Sequence, residues 1–166
     1  ELGAIAELVT KQAASLGSKD AAEQVTRSLF GALQSGIQVT SRATSVVIEP
    51  DQESANLARS ALLASGVSPE IFSDPLKALE SIRKAPPNLL ITEMKLAGMH
   101  GIDLLHALRR LPKRIPAVIW SKYEAFKRDF EVVTYPSHIF LTKPASFASL
   151  SDAVEKLLPK KKEEEL

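Results

Sequence analysis

The sequence predicts an α/β domain with a doubly wound parallel sheet over residues 44–158, preceded by a helical hairpin at 1–40. Five short apolar runs alternate with five amphipathic stretches, as in strands joined by right-handed helical crossovers that cover both faces of a sheet. With 166 residues, 45% of them hydrophobic, the chain can bury one good-sized core plus an appendage. The central apolar run ends in a single acidic residue, Glu93. Open α/β sheets hold their ligands at the carboxyl ends of such strands.

The hairpin differs in texture from the rest of the chain. Ile5, Leu8, Val9, Ala13 and Leu16 recur at helical spacing up to Gly17; after Asp20, with Glu23 in capping-box position, Val25, Leu29, Phe30 and Leu33 form a second stripe that stops at Gly36. Two such short helices are not stable alone. They are expected to pack on the following domain, on a second copy as a homodimer, or on other sequence. The chain opens at Glu1 without a methionine, so a fragment of something longer is expected.

The alternation then begins. Residues 45–48, SVVI, read as a buried strand, and a helix over 52–65 should bury Leu57, Ala61 and Leu62 before stopping at Gly66. Residues 70–72 form a short second strand. Asp74 and Pro75 supply an N-cap and a first-turn proline for a helix with Leu76, Leu79 and Ile82 on its buried stripe. Pro86 and Pro87 end it and launch the central strand at 88–92.

A third helix over 101–111 carries Leu104, Leu105, Leu108 and Leu111 and exits through Arg109, Arg110, Lys113 and Arg114. A fourth strand at 116–120 precedes a helix through Tyr123, Phe126 and Phe130. A fifth strand at 138–141 leads to a last helix over 146–158 with Leu150, Val154 and Leu157 buried. The tail, 159–166, is charged and expected to be disordered.

Composition narrows the function. Twenty-one basic residues nearly balance 20 acidic ones, so no overall field recruits nucleic acid or a membrane. The absence of cysteine excludes a disulfide scaffold and thiolate-ligated metal. No apolar run has the length of a membrane span and no signal peptide is visible, so a cytoplasmic location is expected. His100, His106 and His138 share no metal-ligand spacing. The basic run at 109–114, without interleaved aromatics, reads as a solvated face, and no Gly-x4-Gly-Lys-Ser/Thr phosphate loop is present.

At the strand ends stand Glu49, Pro50 and Asp51 after the first strand, Glu93 after the third, Ser121 after the fourth, and Lys143 with Pro144 after the fifth. This ordered set resembles the receiver domain of bacterial two-component response regulators, over roughly 44–158. The resemblance implies a flavodoxin-like five-stranded sheet in the order 2-1-3-4-5. It also implies a pocket in which an acidic pair holds Mg²⁺, an aspartate accepts phosphate, a Ser/Thr contacts the phosphoryl group and a Lys before a cis-proline pairs with it. Glu49, Ser121, Lys143 and Pro144 match that pattern, the run LTKP at 141–144 is typical of it, and Gly101 fits the glycine that starts the third helix.

The departures fall on the chemistry. Glu93 stands where the family has its phosphoacceptor aspartate, and Pro50 replaces the second metal-binding acid. An extra methylene displaces the attacking oxygen, an offset that can cost about a hundredfold in a reaction governed by positioning. The reading is therefore an atypical pseudo-receiver, not an enzyme, with a degenerate phosphoacceptor pocket of Glu93, Glu49, Pro50, Asp51, Ser121, Lys143 and Pro144. No cofactor is expected; Mg²⁺ would bind only weakly, through Glu49, Asp51 and Glu93, if at all.

Two accounts of Glu93 stay open: a carboxylate that mimics a permanently active state, or one that merely satisfies Lys143 and nearby backbone donors. Glu93→Ala is expected to leave fold and stability nearly intact. Signalling would run by contact with another signalling protein or another domain of a longer chain, across a face holding Lys122, Tyr123, Phe126 and Phe140, the last at the family's aromatic switch position. The alternatives are a working response regulator that takes phosphate through an unusual Mg²⁺ site, and an oligomeric scaffold driven by the hairpin. Trp120, the single tryptophan, is expected at the mouth of the pocket.

Overall fold

The computed structural model describes residues 42–158; the predicted hairpin at 1–40 and the charged tail at 159–166 lie outside the described residues. The elements run β1 (Thr44–Ile48), α1 (Gln52–Ala64), β2 (Ser68–Phe72), α2 (Pro75–Lys84), β3 (Leu89–Thr92), α3 (Gly101–Arg109), β4 (Ala117–Ser121), a 3₁₀ segment (Glu124–Arg128), α4 (Phe130–Val133), β5 (His138–Thr142) and α5 (Phe147–Leu157). All strand pairs are parallel, in the order β2-β1-β3-β4-β5. The chain turns back on itself between β1 and β3, and Ile48 pairs in register with Thr92 there. Glu49 and Glu93 therefore leave the sheet side by side at the topological switch point.

Side-chain alternation divides the core between the two faces. Val46, Ile48, Leu90, Ala117 and Ile119 pack with Ala78, Leu79 and Ile82 of α2, Leu104, Leu105 and Leu108 of α3 and Val132 of α4. Val47, Leu89, Ile91, Val118 and Trp120 pack with Ala58, Ala61 and Leu62 of α1 and Leu150, Ala153 and Val154 of α5. Helix starts follow the expected chemistry: Asp51 accepts from Ser54 N, Asp74 from Leu76 N and Ser146 from Ser149 N. Among the described residues no helix is long and apolar enough to cross a membrane.

Several elements differ from the sequence expectation. The helix expected through Tyr123, Phe126 and Phe130 is not continuous. Asp129 takes an extended conformation and its carboxylate accepts from Glu131 N, capping a new single turn, α4. The break rotates Phe130 out of the stripe, so that it is 71% exposed while Val132 is buried. Leu76 is exposed, because the buried stripe of α2 is Pro75, Ala78, Leu79 and Ile82, whose spacing of three, four and seven excludes a residue one step along. Leu57 and Leu157 are half-buried. β2 begins two residues before the expected start at 70 and takes in Pro69, which an edge strand tolerates.

Candidate functional site

Glu49 follows β1 with its backbone N–H still in the ladder, donating to Phe72 O, and Glu93 does the same toward Ile48 O. Ser121 closes β4 and pairs with Thr142 of β5. The next β5-side amide, Lys143 N, donates to Ser121 O at 3.1 Å. The sheet ladder itself thus aims Glu49, Glu93, Ser121 and Lys143 into one pocket.

Within it the Lys143 ammonium donates to Glu49 Oε2 at 2.6 Å and to Glu93 Oε2 at 2.9 Å. The other oxygens are also matched. Glu49 Oε1 accepts from Asp51 N at 3.0 Å, and Glu93 Oε1 accepts from Met94 N at 2.7 Å and Lys95 N at 3.2 Å. The glutamate side chains are 3% and 8% exposed and that of Lys143 15%, so these charges interact with little screening by water.

Burial alone would raise the Glu93 pKa. It is outweighed by hydrogen bonds from the Ser121 hydroxyl, the Lys143 ammonium and the Lys95 and Met94 amides, which hold the carboxyl below its ordinary range. For Lys143, burial favours the neutral form, but the hydrogen bonds and charges of Glu49 and Glu93 raise its pKa. Glu93 and Lys143 thus each favour the charged form of the other.

Pro50 and Asp51 do not join it. Pro50 is exposed and offers no side-chain oxygen. Asp51 stays at the rim, where its carboxylate accepts from Ser54 N at 2.9 Å to cap α1, and this bond lowers its pKa. The register shift that would bring Asp51 beside Glu49 does not occur, because Glu49 keeps its ladder bond and Asp51 starts the helix. Mg²⁺ binds through one or two carboxylates completed by water. Here both candidate carboxylates present their inward oxygens to an ammonium, and among the described residues no three His, Cys, Asp or Glu side chains gather into a metal site. The arrangement does not fit the ion.

Three further features surround the trio. Trp120 is 2% exposed and packs on the α1–α5 face, and it lines a cavity there together with Asp51, Lys122 and Lys143. Its ring lies 4.9 Å from Lys143 Nζ, a cation–π contact. Tyr123 is flanked by Lys95 and Lys122, at 4.7 and 5.3 Å from its ring centroid. Gly101 starts α3 because a Cβ there would stand 2.6 Å from Met94 O. Only the glycine was legible in advance; the Lys95–Tyr123 and Lys143–Trp120 contacts join residues too far apart in the chain for periodicity to pair them.

Of the proposed interaction face, Lys122 is exposed, whereas Tyr123 is half-buried and Phe126 and Phe140 pack partly against the core. His106 contacts Glu131 and His138 Nδ1 contacts Tyr135 O, while His100 stands at the start of α3. Arg109 is not a free member of a basic face: it binds Glu131 and Thr134.

A family model described as "Response regulator receiver domain" matches residues 46–155. Luminescence regulatory protein LuxO of Vibrio campbellii is 26% identical over 114 residues, covering 69% of this chain but 25% of LuxO. Sporulation initiation phosphotransferase F of Bacillus subtilis is 30% identical over 86 residues, 52% of this chain and 69% of that protein. Among solved structures, chemotaxis response regulator CheY4 of Vibrio cholerae shares the fold at a TM-score of 0.64 and 18% identity, covering 71% of this chain and 100% of CheY4. The chain thus spans about a quarter of the length of its LuxO relatives. With the five-stranded order, the pocket at the switch point and the matching model, the chain belongs to the response regulator receiver domain family.

Proposed function

We propose that this receiver domain passes its signal by protein contact without accepting phosphate. The observation that carries the reading is the commitment of both pocket glutamates to Lys143. A phosphoacceptor needs a free attacking oxygen and charge neutralisation around the incoming group. Glu93 has every carboxylate oxygen engaged, in the arrangement that satisfies Lys143 and backbone donors. In this reading the domain is no enzyme and takes no cofactor.

The contact surface is the α4–β5 side. Phe130 and Val133 of α4 are 71% and 50% exposed, and the segment leading to α4 carries exposed Lys122 and half-buried Tyr123. Exposed apolar side chains with a charged surround suit a protein partner. That partner is a signalling protein or another domain of a longer chain.

Two measurements test this. Intact-mass spectrometry after acetyl phosphate and Mg²⁺ is expected to find no added phosphoryl group; a base-labile adduct on Glu93 would sink the reading. Pull-downs should lose a bound protein with Phe130→Asp plus Val133→Asp and keep it with Glu93→Gln. Loss with Glu93→Gln alone would place signalling in the pocket instead.

A further inference from the structure

We propose that the cavity between α1 and the turn from β5 to α5 binds an uncharged, largely apolar small molecule that carries a carbonyl or ring-nitrogen acceptor. The site is separate from the α4–β5 contact surface, so either can fail without the other.

The cavity measures about 690 Å³, inside the range of about 300–1,000 Å³ that small-ligand sites occupy. Its apolar wall is Leu57 of α1, Trp120 of β4, and Pro144 and Ala145 from the turn before α5. Leu57 and Ala145 pack partly against the core cluster that contains Trp120, so the wall is anchored in the fold. An apolar wall with a few polar groups is the ordinary make-up of a small-molecule site.

One of those polar groups lacks a partner. Trp120 Nε1–H is buried and meets no acceptor among the described residues. Buried donors are nearly always paired, because an unpaired one has lost its hydration without return. An acceptor atom brought in through the cavity would supply what this donor lacks. Nε1 is closed to water, so that atom reaches it only as a wall side chain gives way, and Leu57 is half-buried and able to do so. A donor set this deep suits a small molecule that enters the cavity, not the surface of a protein partner.

Charge at the mouth selects an uncharged ligand. Asp51, Glu53 and Lys122 are exposed there. Lys143 also lines the cavity, but Glu49 and Glu93 already neutralise it. An anion therefore meets more negative charge than positive. A cation fares no better against the apolar wall: the Asp51 carboxylate is engaged in capping α1, and a charge taken out of water needs a close partner.

Nile red, an uncharged heteroaromatic dye with a carbonyl acceptor, tests the site on the intact chain. Wild type is expected to bind it saturably, with quenching of Trp120, the single tryptophan, and a downfield shift of its indole N–H resonance. The anionic dye anilinonaphthalene sulfonate should bind at least about tenfold more weakly. Trp120→Phe keeps an aromatic ring but removes the donor, and should weaken Nile red about fivefold, the worth of one net hydrogen bond. Ser60 lines the cavity from the exposed side of α1, and Ser60→Phe should abolish binding by filling the space.

A stationary indole resonance would overturn the inference, as would equal affinity for the two dyes. Undiminished Nile red binding by Ser60→Phe would also overturn it, because the dye would then sit on an exposed apolar face such as that of α4. Should Trp120→Phe fail to fold, wild type and Ser60→Phe decide without it.

Discussion

Lys143 lies closer to Glu49, at 2.6 Å, than to Glu93, at 2.9 Å, so the lysine that would meet a phosphoryl group on the third strand is drawn toward the first. The three side chains do not contribute equally. Removing Glu93 leaves Lys143 paired with Glu49, whereas removing Lys143 strands two buried anions.

Lys143→Gln is therefore expected to cost about 3–5 kcal/mol of stability and Glu93→Gln about 1–2 kcal/mol. Glu93→Ala, from which the sequence alone suggested almost no effect, should cost about 2–3 kcal/mol, because it also frees the buried Met94 N–H and the Lys95 N–H. Urea unfolding of the three variants gives the order; a Lys143→Gln protein as stable as wild type would contradict it.

Glu93 and Lys143 also set a pH window. Glu93 has a depressed pKa in the fold, so its contribution is fully present above its ordinary value of 4.5 and is lost as pH falls through the folded value. Lys143 has a raised pKa, so its contribution is complete below its ordinary value of 10.5 and is lost as pH rises through the folded value. Stability should be flat between these limits. Thermal melts should show wild type losing stability below pH 4.5 more steeply than Glu93→Gln; identical acid limbs would mean that Glu93 gains nothing from its partners.

Periodicity and strand-end chemistry made much of this legible. The five apolar runs give the sheet, and Glu49, Glu93, Ser121 and Lys143 were readable as strand-end residues because a parallel sheet gathers such positions. The Lys143–Glu49 bond was not, since it spans 94 positions and depends on how far a lysine reaches once the ladder has placed it. The fate of Asp51 was also hidden, because an acid after a strand and before a helix can serve as a ligand or as an N-cap. Its bond to Ser54 N decides for the cap. Asp129 posed the same ambiguity inside an apparent helix stripe, and capping again won.

Gly101 offers a test of how α3 supports the pocket. Its N–H donates to Met94 O at 3.1 Å, and a Cβ would lie 2.6 Å from that oxygen, 2.7 Å from Met94 Cα and 2.8 Å from its sulfur. The backbone cannot give way without moving the Met94 amide that holds Glu93. Gly101→Ala should destabilise by about 1–3 kcal/mol, although alanine favours helix in open surroundings, and should shift Trp120 fluorescence through Lys143. A neutral or stabilising Gly101→Ala would mean that the close approach is not maintained.

Tyr135 governs the alkaline side independently. Its hydroxyl donates to Ile115 O at 2.8 Å, and burial pushes its pKa up to about 12, against a smaller lowering by Arg109. With a raised folded value, its contribution is complete below the ordinary value of 10.0 and disappears as pH rises through about 12. Tyr135→Phe should cost about 1–2 kcal/mol at neutral pH by leaving Ile115 O without its donor, and should flatten the alkaline fall. Chemical denaturation at neutral pH and above pH 10 measures both; an unchanged alkaline slope would assign that limb to Lys143 alone.

Arg109 determines whether α4 exists as a helix. Four residues cannot sustain a helix without tertiary support, and Arg109 supplies it from α3, donating to Glu131 O at 2.6 Å and Thr134 Oγ1 at 2.8 Å while its other terminal nitrogen pairs with Glu131 Oε2 at 3.1 Å. The paired side chains are 29% and 25% exposed, so the charge pair itself should couple by only about 0.5–1 kcal/mol in a double-mutant cycle with Glu131→Gln. The bond to the Glu131 carbonyl survives that substitution, so Arg109→Ala should cost more than Glu131→Gln. Amide exchange at Val133 and Thr134 should accelerate in Arg109→Ala while β4 stays protected. Because α4 presents Phe130 and Val133, the same variant should weaken partner binding without altering the Lys143 trio; unchanged exchange at Val133 and Thr134 would show that α4 is held by Val132 in the core and that Arg109 only decorates it.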